Sequence, residues 1–248
     1  MRKKSLILTI TLLLILTSMF SVKAEDIVPI TEIQSNTKDG DASVYKGETV
    51  TSEGIVTAVS DNGFYMQSGK ESWSGIWVYA TAEVAPGDKV RVTGLIDEYY
   101  NLTEFNDPEK VEVIGSGEIP EPILLDSSEV SQEKYEGVLV KIEDIEVTNP
   151  TAGHGEWLVD DGSGEVKIAG DHVGDSAKPT SEGQNIEYII GPVDFDYGEY
   201  KIEPKEISGL KVTFPDKGNL GEEVTYPKDL EKIDNFYKHI LKDEVEVN

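Results

Sequence analysis

The feature that most constrains this chain is a sequence pattern that occurs twice, the second time about 92 to 97 residues after the first. Three segments recur in the same order: residues 63–67 are echoed by 155–159, residues 86–92 by 182–188 and, more weakly, residues 99–102 by 197–200. Self-similarity over a domain-sized period predicts two related modules in tandem rather than one large core. We expect no separate catalytic domain beside them, and the repeat itself indicates no reaction.

The N-terminal residues have the features of a targeting segment. Arg2, Lys3 and Lys4 precede an apolar run over residues 6–20, and small residues up to Ala24 offer a cleavage point. The apolar run is too short to span a bilayer comfortably, which takes about 20 residues. We therefore predict a signal peptide over residues 1–24 and a secreted protein, extracellular or at the cell surface, with no membrane span after cleavage. An uncleaved anchor is the alternative.

The charge and the absence of cysteine exclude several classes of site. The chain has a net charge of −26 and no cysteine, which rules out disulfides, thiolate metal sites and a lipoprotein anchor. Without the four cations of residues 1–24, 18 Lys and Arg face 48 Asp and Glu, so the net charge becomes −30 and Arg91 is the one remaining arginine. Such a chain repels polyanions at long range. An acidic, solvated surface suited to secretion is the simpler explanation of this charge.

The rest of the sequence predicts strands and turns. Residues 50–59 alternate with a period of two and end at the turn Asp61-Asn62-Gly63. Further strands are predicted over residues 64–67, 75–79, 89–96, 99–105 and 111–114, and then over 138–147, 156–160, 165–169, 185–191 and 200–202. Short strands joined by Gly, Asp and Asn turns favour a small β-barrel over a sandwich. A short helix or turn is predicted over residues 126–135.

These patterns divide the chain into five parts. We predict a signal peptide over residues 1–24, a first module over 25–115, an extended linker over 116–126, a second module over 127–215 and a C-terminal extension over 216–248. Apolar residues at helical spacing predict a helix over residues 227–242 of the extension. We expect the apolar stripe of this helix to pack on the second barrel, and a partner or membrane surface is the alternative.

Five segments of the first module carry a family resemblance. They are GETV with EGIVT (47–57), GFYMQ (63–67), SGIWVY (74–79), GDKVRVTG (87–94) and EYYNLTE (98–104). In this order, over about residues 30–115, they resemble the OB-fold domain that precedes the catalytic domain of large secreted bacterial nucleases of the endonuclease/exonuclease/phosphatase type. The second module resembles an OB-fold only in its looser strand pattern. The resemblance implies OB-folds, and together with the strand pattern and the helical spacing in residues 227–242 it leads us to expect an all-β fold of two tandem OB-fold-like β-barrels with a short C-terminal helix.

The resemblance also implies a function, and the chain departs from the family at one point. It implies binding of single-stranded nucleic acid, but the catalytic domain of those nucleases has no counterpart here. The run Gly170-Asp171-His172 is similar to a fragment of that catalytic site, without its partner residues. We therefore expect an accessory module without its enzyme, with no catalytic residue and no cofactor.

Aromatic residues of the first module form the candidate binding surface. OB-folds bind oligonucleotides or oligosaccharides on their second and third strands and in adjacent loops, and bases stack on aromatic rings beside cations. Alternation along the strands predicts that Tyr65, Trp77 and Tyr79 share one face. The predicted ligand-binding residues are Tyr65, Trp77, Tyr79, Arg91, Tyr99 and Tyr100. The alternative is that these aromatic residues fill the barrel or the contact between the modules.

Acidic turns and histidines are weaker candidates. The turns supply hard oxygen ligands of the kind that Ca²⁺ takes, at Asp160, Asp161, Glu165, Asp194 and Asp196. A β-turn between two strands explains the same residues without an ion. The three histidines lack metal-ligand spacing: His154, His172 and His239. We therefore predict no metal site.

The sequence favours a secreted, non-catalytic OB-fold binding protein for single-stranded nucleic acid, or a detached nuclease accessory module. The alternative is an extracellular interaction protein that binds a glycan, a cell-surface polymer or a protein partner through the same aromatic face. Salt distinguishes the two, because nucleic-acid affinity falls steeply with salt whereas stacking on a glycan hardly responds to it.

Overall fold

The structure is a computed structural model, and it describes residues 26–35, 37–38, 42–170, 179, 181–208, 211–212 and 224–225. Most of these residues lie in strands of two main sheets, which confirms the predicted β class. The predicted signal peptide and C-terminal helix lie outside the described residues. In the described part of the chain, no helix is long and apolar enough to cross a membrane.

A short N-terminal segment precedes the first main sheet. It contains the helix α1 (Ile30–Ser35) and two paired strands, β1 (Thr37–Lys38) and β2 (Ala42–Ser43). Ile30 and Ile33 of α1 are buried in the core of the first sheet. The sequence pattern did not predict this helix, because six residues are too few to show a helical period.

The first main sheet closes into a barrel in the strand order β3-β4-β5-β7-β6. Its strands are β3 (Thr49–Ser60), β4 (Gly63–Gln67), β5 (Gly75–Tyr79), β6 (Asp88–Tyr99) and β7 (Leu102–Ser116). Strands β5 and β7 pair in parallel, and the other pairs of the barrel are antiparallel. Alternate residues of these strands fill the barrel with Phe64, Met66, Ile76, Ile96 and Phe105.

Strand β7 corrects one prediction. The sequence predicts separate strands over residues 99–105 and 111–114. In the structure, residues 102–105 and 111–114 belong to the single strand β7, whereas Tyr99 ends β6 and Tyr100 and Asn101 form the turn between the two strands. A shift in the β6–β7 register lies opposite Pro108, and proline is tolerated in a sheet at such bulges.

The second main sheet has two short 3₁₀ turns between its first two strands, Ser127–Glu129 and Glu133–Tyr135, which take the place of the helix or turn predicted there. Its strands are β8 (Ile123–Leu124), β9 (Leu139–Gly153), β10 (Glu156–Asp160), β11 (Val166–Ile168), β12 (Asn185–Asp196), β13 (Glu199–Ile202) and β14 (Glu206–Ser208). Strand β12 pairs with both β13 and β9, so the pairings β9-β10-β11-β13-β12 return to β9. Trp157 is one of the buried residues of this second core. A further pair, β15 (Lys211–Val212) and β16 (Val224–Thr225), lies apart from the main sheets.

The sequence repeat marks equivalent positions in the two sheets. Residues 63–67 form β4, and their echo falls on β10. Gly87 and Gly183 both precede a long strand with positive φ, +94° and +81°. The Gly87 N–H donates to the Val56 carbonyl at 2.9 Å, and the Gly183 N–H donates to the Val147 carbonyl at 2.8 Å. Each turn is therefore fixed in the same way to the first long strand of its own sheet.

The two sheets meet at a close approach of their backbones. A Cβ on Gly75, at the start of β5, would lie 2.1 Å from the carbonyl group of Gly137, just before β9. Around this approach the Trp73 N–H donates to the Lys134 carbonyl at 2.7 Å. The Leu139 N–H donates to Gln67 Oε1 at 2.8 Å, and the Thr103 N–H donates to Glu136 Oε1 at 3.0 Å; these groups are buried. Hydrogen bonds at this depth hold the two sheets in one relative orientation.

Replacing Gly75 with alanine tests this approach. We expect Gly75→Ala to lower the free energy of unfolding by about 2–3 kcal/mol, because the new methyl group meets backbone that cannot move aside. Gly115→Ala is the matched control, since a Cβ there meets no atom within 4 Å. Urea unfolding of both variants measures the difference, and equal stabilities would show that the sheets do not depend on this contact.

Candidate functional site

A cavity of about 380 Å³ lies between the two main sheets. One wall comes from β4, β5, the end of β6 and the start of β7, and the other comes from the end of β12 and the residue after β13. The lining residues are Ser60, Asn62, Tyr65, Trp77, Tyr79, Tyr99, Leu102, Glu104, Asn106, Asp194, Phe195, Asp196 and Glu203. The volume is within the range of cavities that hold small ligands.

The aromatic wall is built by cross-strand pairing. Tyr65 and Trp77 are opposite each other in the β4–β5 register, and their ring centroids are 4.6 Å apart. Gly63 leaves room for this pair, because a Cβ there would lie 2.4 Å from the Trp77 ring. Tyr79 follows on the same face and is 46% exposed. The structure therefore brings together the three residues for which alternation predicted a common face.

The face that these aromatics form is largely covered by the second sheet. Tyr65 and Trp77 are only 5% and 8% exposed, and Phe195 of β12 packs against them. The Tyr65 hydroxyl donates a hydrogen bond to Asp194 Oδ1 at 3.0 Å. Burial, followed by the charges of Asp194 and Glu203, raises the pKa of Tyr65, so the phenol keeps its proton. Both rings thus lie in the contact between the modules. The sequence analysis gave this contact as the alternative to an exposed stacking face.

The other three predicted site residues lie at different distances from the cavity. Tyr99 lines it, whereas Tyr100 is 74% exposed and does not, although its ring contacts that of Tyr99. Arg91 is not part of the lining either. It lies farther along β6, where its guanidinium donates to Glu53 Oε1 at 2.6 and 3.0 Å. The sequence predicted that Arg91 lies beside the stacking rings, and this prediction is wrong. The β3–β6 register places Arg91 opposite Glu53 instead.

Four carboxyl groups complete the lining, and the sequence did not mark them as part of this site: Glu104, Asp194, Asp196 and Glu203. Glu104 follows from the β5–β7 register, which places it opposite Trp77. Asp194 and Asp196 were noted only as acidic turn residues. In the sequence, one signal linked these two residues to the aromatic residues. Both lie just before residues 197–200, which are the second-module counterpart of residues 99–102. Among the described lining residues there is no lysine, arginine or histidine.

Burial dominates the electrostatics of Glu104. This burial, followed by the charges of Asp97, Asp194 and Glu98, raises the pKa of the Glu104 carboxyl to about 7. A carboxyl with such a pKa changes its charge near neutral pH, whereas an exposed glutamate is fully ionised there. The cavity is therefore acidic, and its charge depends on pH.

The acidic turn after β10 has a structural role in the same fold. Asp160 accepts hydrogen bonds from the N–H groups of Gly162 and Gly164, at 2.6 and 3.0 Å. Burial alone would raise the pKa of Asp161, but hydrogen bonds from Ser163 and Ser127 lower it to about 2. Within the described ranges, no three His, Cys, Asp or Glu side chains are grouped so that they could hold a metal ion.

The remaining weak candidates are placed as follows. His154 stacks on Tyr197 with ring centroids 5.8 Å apart. His172 and His239 lie outside the described residues.

No protein-family model matches the chain, and no curated protein matches its sequence. The interpretation of the cavity therefore depends on its geometry and chemistry.

The raised pKa of Glu104 predicts a pH-dependent stability. A carboxyl whose pKa is about 7 in the folded state and about 4.5 when unfolded stabilises the fold fully below pH 4.5, and this contribution is lost as the pH rises through 7. Glu104→Gln stays neutral throughout. We expect the stability of this variant relative to the wild type to increase by about 1–2 kcal/mol between pH 4.5 and 8, less than the full shift implies, because a carboxyl group that lines a cavity is screened more than one in a closed core.

Urea unfolding at both pH values measures this difference. Glu118→Gln is the matched control, since Glu118 is exposed and remote from the cavity lining. A constant difference between Glu104→Gln and the wild type at the two pH values would contradict the prediction.

Proposed function

We propose that this chain is a secreted, non-catalytic binding protein of two OB-fold barrels, and that it binds its ligand in the cavity between them. The strand orders support the fold assignment. The five strands of the first sheet, and β9 to β13 of the seven-stranded second sheet, pair in the cyclic order first-second-third-fifth-fourth, with the third and fifth parallel. This order and the one parallel pair are those of the OB-fold, a five-stranded Greek-key barrel.

The position of the cavity is the observation that carries the proposal. OB-folds bind ligands on the second and third strands and on the loops that follow the first and the fourth strand. In the first barrel these elements are β4, β5, the turn at Asn62 and the turn that follows Tyr99. Residues of β4 and β5, Asn62, and the two residues that flank the second turn, Tyr99 and Leu102, line the cavity. The cavity thus lies where an OB-fold ordinarily holds its ligand.

The chemistry of the lining favours one of the two ligand classes that the sequence left open. Nucleic-acid binding takes much of its free energy from Lys and Arg contacts with phosphate. The cavity instead has four carboxyl groups, and Arg91 is bonded to Glu53 elsewhere. We therefore infer that the ligand is an extracellular glycan, cell-surface polymer or protein partner, and that single-stranded nucleic acid is the competing outcome of the test.

Tyr79 and Tyr100 provide a matched pair of substitutions for this test. Both side chains are exposed, but only Tyr79 lines the cavity. We expect Tyr79→Ala to weaken ligand binding about tenfold, the loss of roughly 1.4 kcal/mol of ring contact, and Tyr100→Ala to leave it unchanged. Quenching of tryptophan fluorescence measures binding, because Trp77 lines the same cavity.

The titrations use a neutral chito-oligosaccharide, its deacetylated form and a single-stranded oligonucleotide, each at low and at moderate salt. Saturable binding of an oligosaccharide with the expected effect of Tyr79→Ala supports the proposal. Binding of the oligonucleotide alone, falling steeply with salt, would replace it with the nucleic-acid function. Equal losses in the two tyrosine variants would show that the cavity is not the site.

A further inference from the structure

Glu104 is a buried carboxyl without a counter-charge. It is 3% exposed and lies on β7, where it lines the cavity. Among the described residues, no side chain or backbone group forms a hydrogen bond or ion pair with its carboxyl group. Burying a polar group without a partner costs free energy, and such groups in folded proteins usually have a functional reason.

The groups that face Glu104 are mostly acidic, and they favour a cation beside it. They are Asp97 and Glu98 of β6, Asp194 and Asp196 of β12, Glu203 after β13, and the phenols of Tyr65, Tyr79 and Tyr99. Lys201 bonds to Glu156 at 2.5 Å and also reaches Asp196 Oδ2 at 3.5 Å, but it is not part of the lining. Among the described lining residues, no Lys, Arg or His accompanies the carboxyl group of Glu104.

The rest of the lining fits an organic cation. Five aromatic residues surround the carboxyl groups: Tyr65, Trp77, Tyr79, Tyr99 and Phe195. Aromatic faces attract ammonium groups through the ring quadrupole, and Trp and Tyr are the stronger partners. A bare metal ion would need clustered oxygen ligands, and the described residues offer no such group.

We propose that the cavity between the barrels binds an alkylammonium group, with Glu104 as its counter-ion and the rings of Trp77 and Tyr79 as its walls. This inference rests on the proposed function, since it names the ligand chemistry of the same site. The ammonium group has two sources, a free quaternary amine and the side chain of a lysine in a partner. Both present a cation on an apolar stem, which matches the combination of carboxyl groups and rings.

Binding of a cation is linked to the protonation of Glu104. An ammonium group stabilises the ionised carboxylate, so binding releases a proton below about pH 7. We expect the affinity to rise about tenfold between pH 6 and pH 8, as the carboxyl group ionises. Glu104→Gln removes this dependence.

The test uses choline and its uncharged isostere 3,3-dimethylbutan-1-ol, in which carbon replaces nitrogen. Calorimetric titration of the full chain measures both, and a lysine tripeptide tests the second source. We expect choline or the peptide to bind at least about tenfold more tightly than the isostere. Glu104→Gln should weaken binding of the cation about tenfold at pH 8, whereas Glu118→Gln should leave it unchanged.

Each outcome separates this inference from the proposed function. Equal affinities for choline and its isostere, together with no binding of the peptide, overturn the inference. If a neutral oligosaccharide then binds in a Tyr79-dependent way, the proposed function still holds. Binding of a cation that Glu104→Gln does not weaken also overturns the inference, because the cation then lies elsewhere. Thermal unfolding of Glu104→Gln confirms that the variant is folded, which we expect since the substitution removes a buried acid.

Discussion

The contact between Gly75 and Gly137 determines how the rest of the molecule is arranged. Two backbones approach so closely there that neither residue has space for a side chain. The buried hydrogen bonds of Gln67 with Leu139 and of Glu136 with Thr103 fix the orientation of the sheets around this point. The cavity lies between the two sheets that these contacts hold together. Its walls therefore come from two modules that are far apart in sequence.

This arrangement brings several carboxyl groups together beside aromatic rings in the cavity. The first sheet contributes aromatic rings and Glu104, and the second sheet contributes Asp194, Asp196 and Glu203. Lys201 of the second sheet bonds to Glu156 and reaches Asp196, but it does not line the cavity. The alkylammonium ligand that we propose supplies a positive charge next to Glu104. A chain with so few cations is also poorly suited to bind a polyanion on a stacking surface, because such binding depends on Lys and Arg contacts with phosphate.

The sequence predicted much of the secondary structure, for identifiable reasons. Alternation with a period of two and the Asp-Asn-Gly turn marked β3 and β4, and the predicted strands of the second module overlap β9 to β13. The local sequence patterns failed to predict two elements correctly, β7 and α1. The prediction divided β7 into two segments, whereas the strand continues past Pro108 through a bulge, and α1 was too short to show a period. For the site, alternation correctly placed Tyr65, Trp77 and Tyr79 on one face, but Arg91 and Tyr100 do not line the cavity.

By itself, the sequence determined the β class, the repeat of related strand patterns and the face that the aromatic residues share, because these depend on the local period of side chains along a strand. Only the tertiary structure decided that this face is covered by a second sheet, and that Glu104 lies buried beside Asp194. Residues so distant along the chain meet through the closure of each sheet and the contact between the sheets. No local pattern encodes that meeting, since the charge of a carboxyl group depends on which groups the fold places around it.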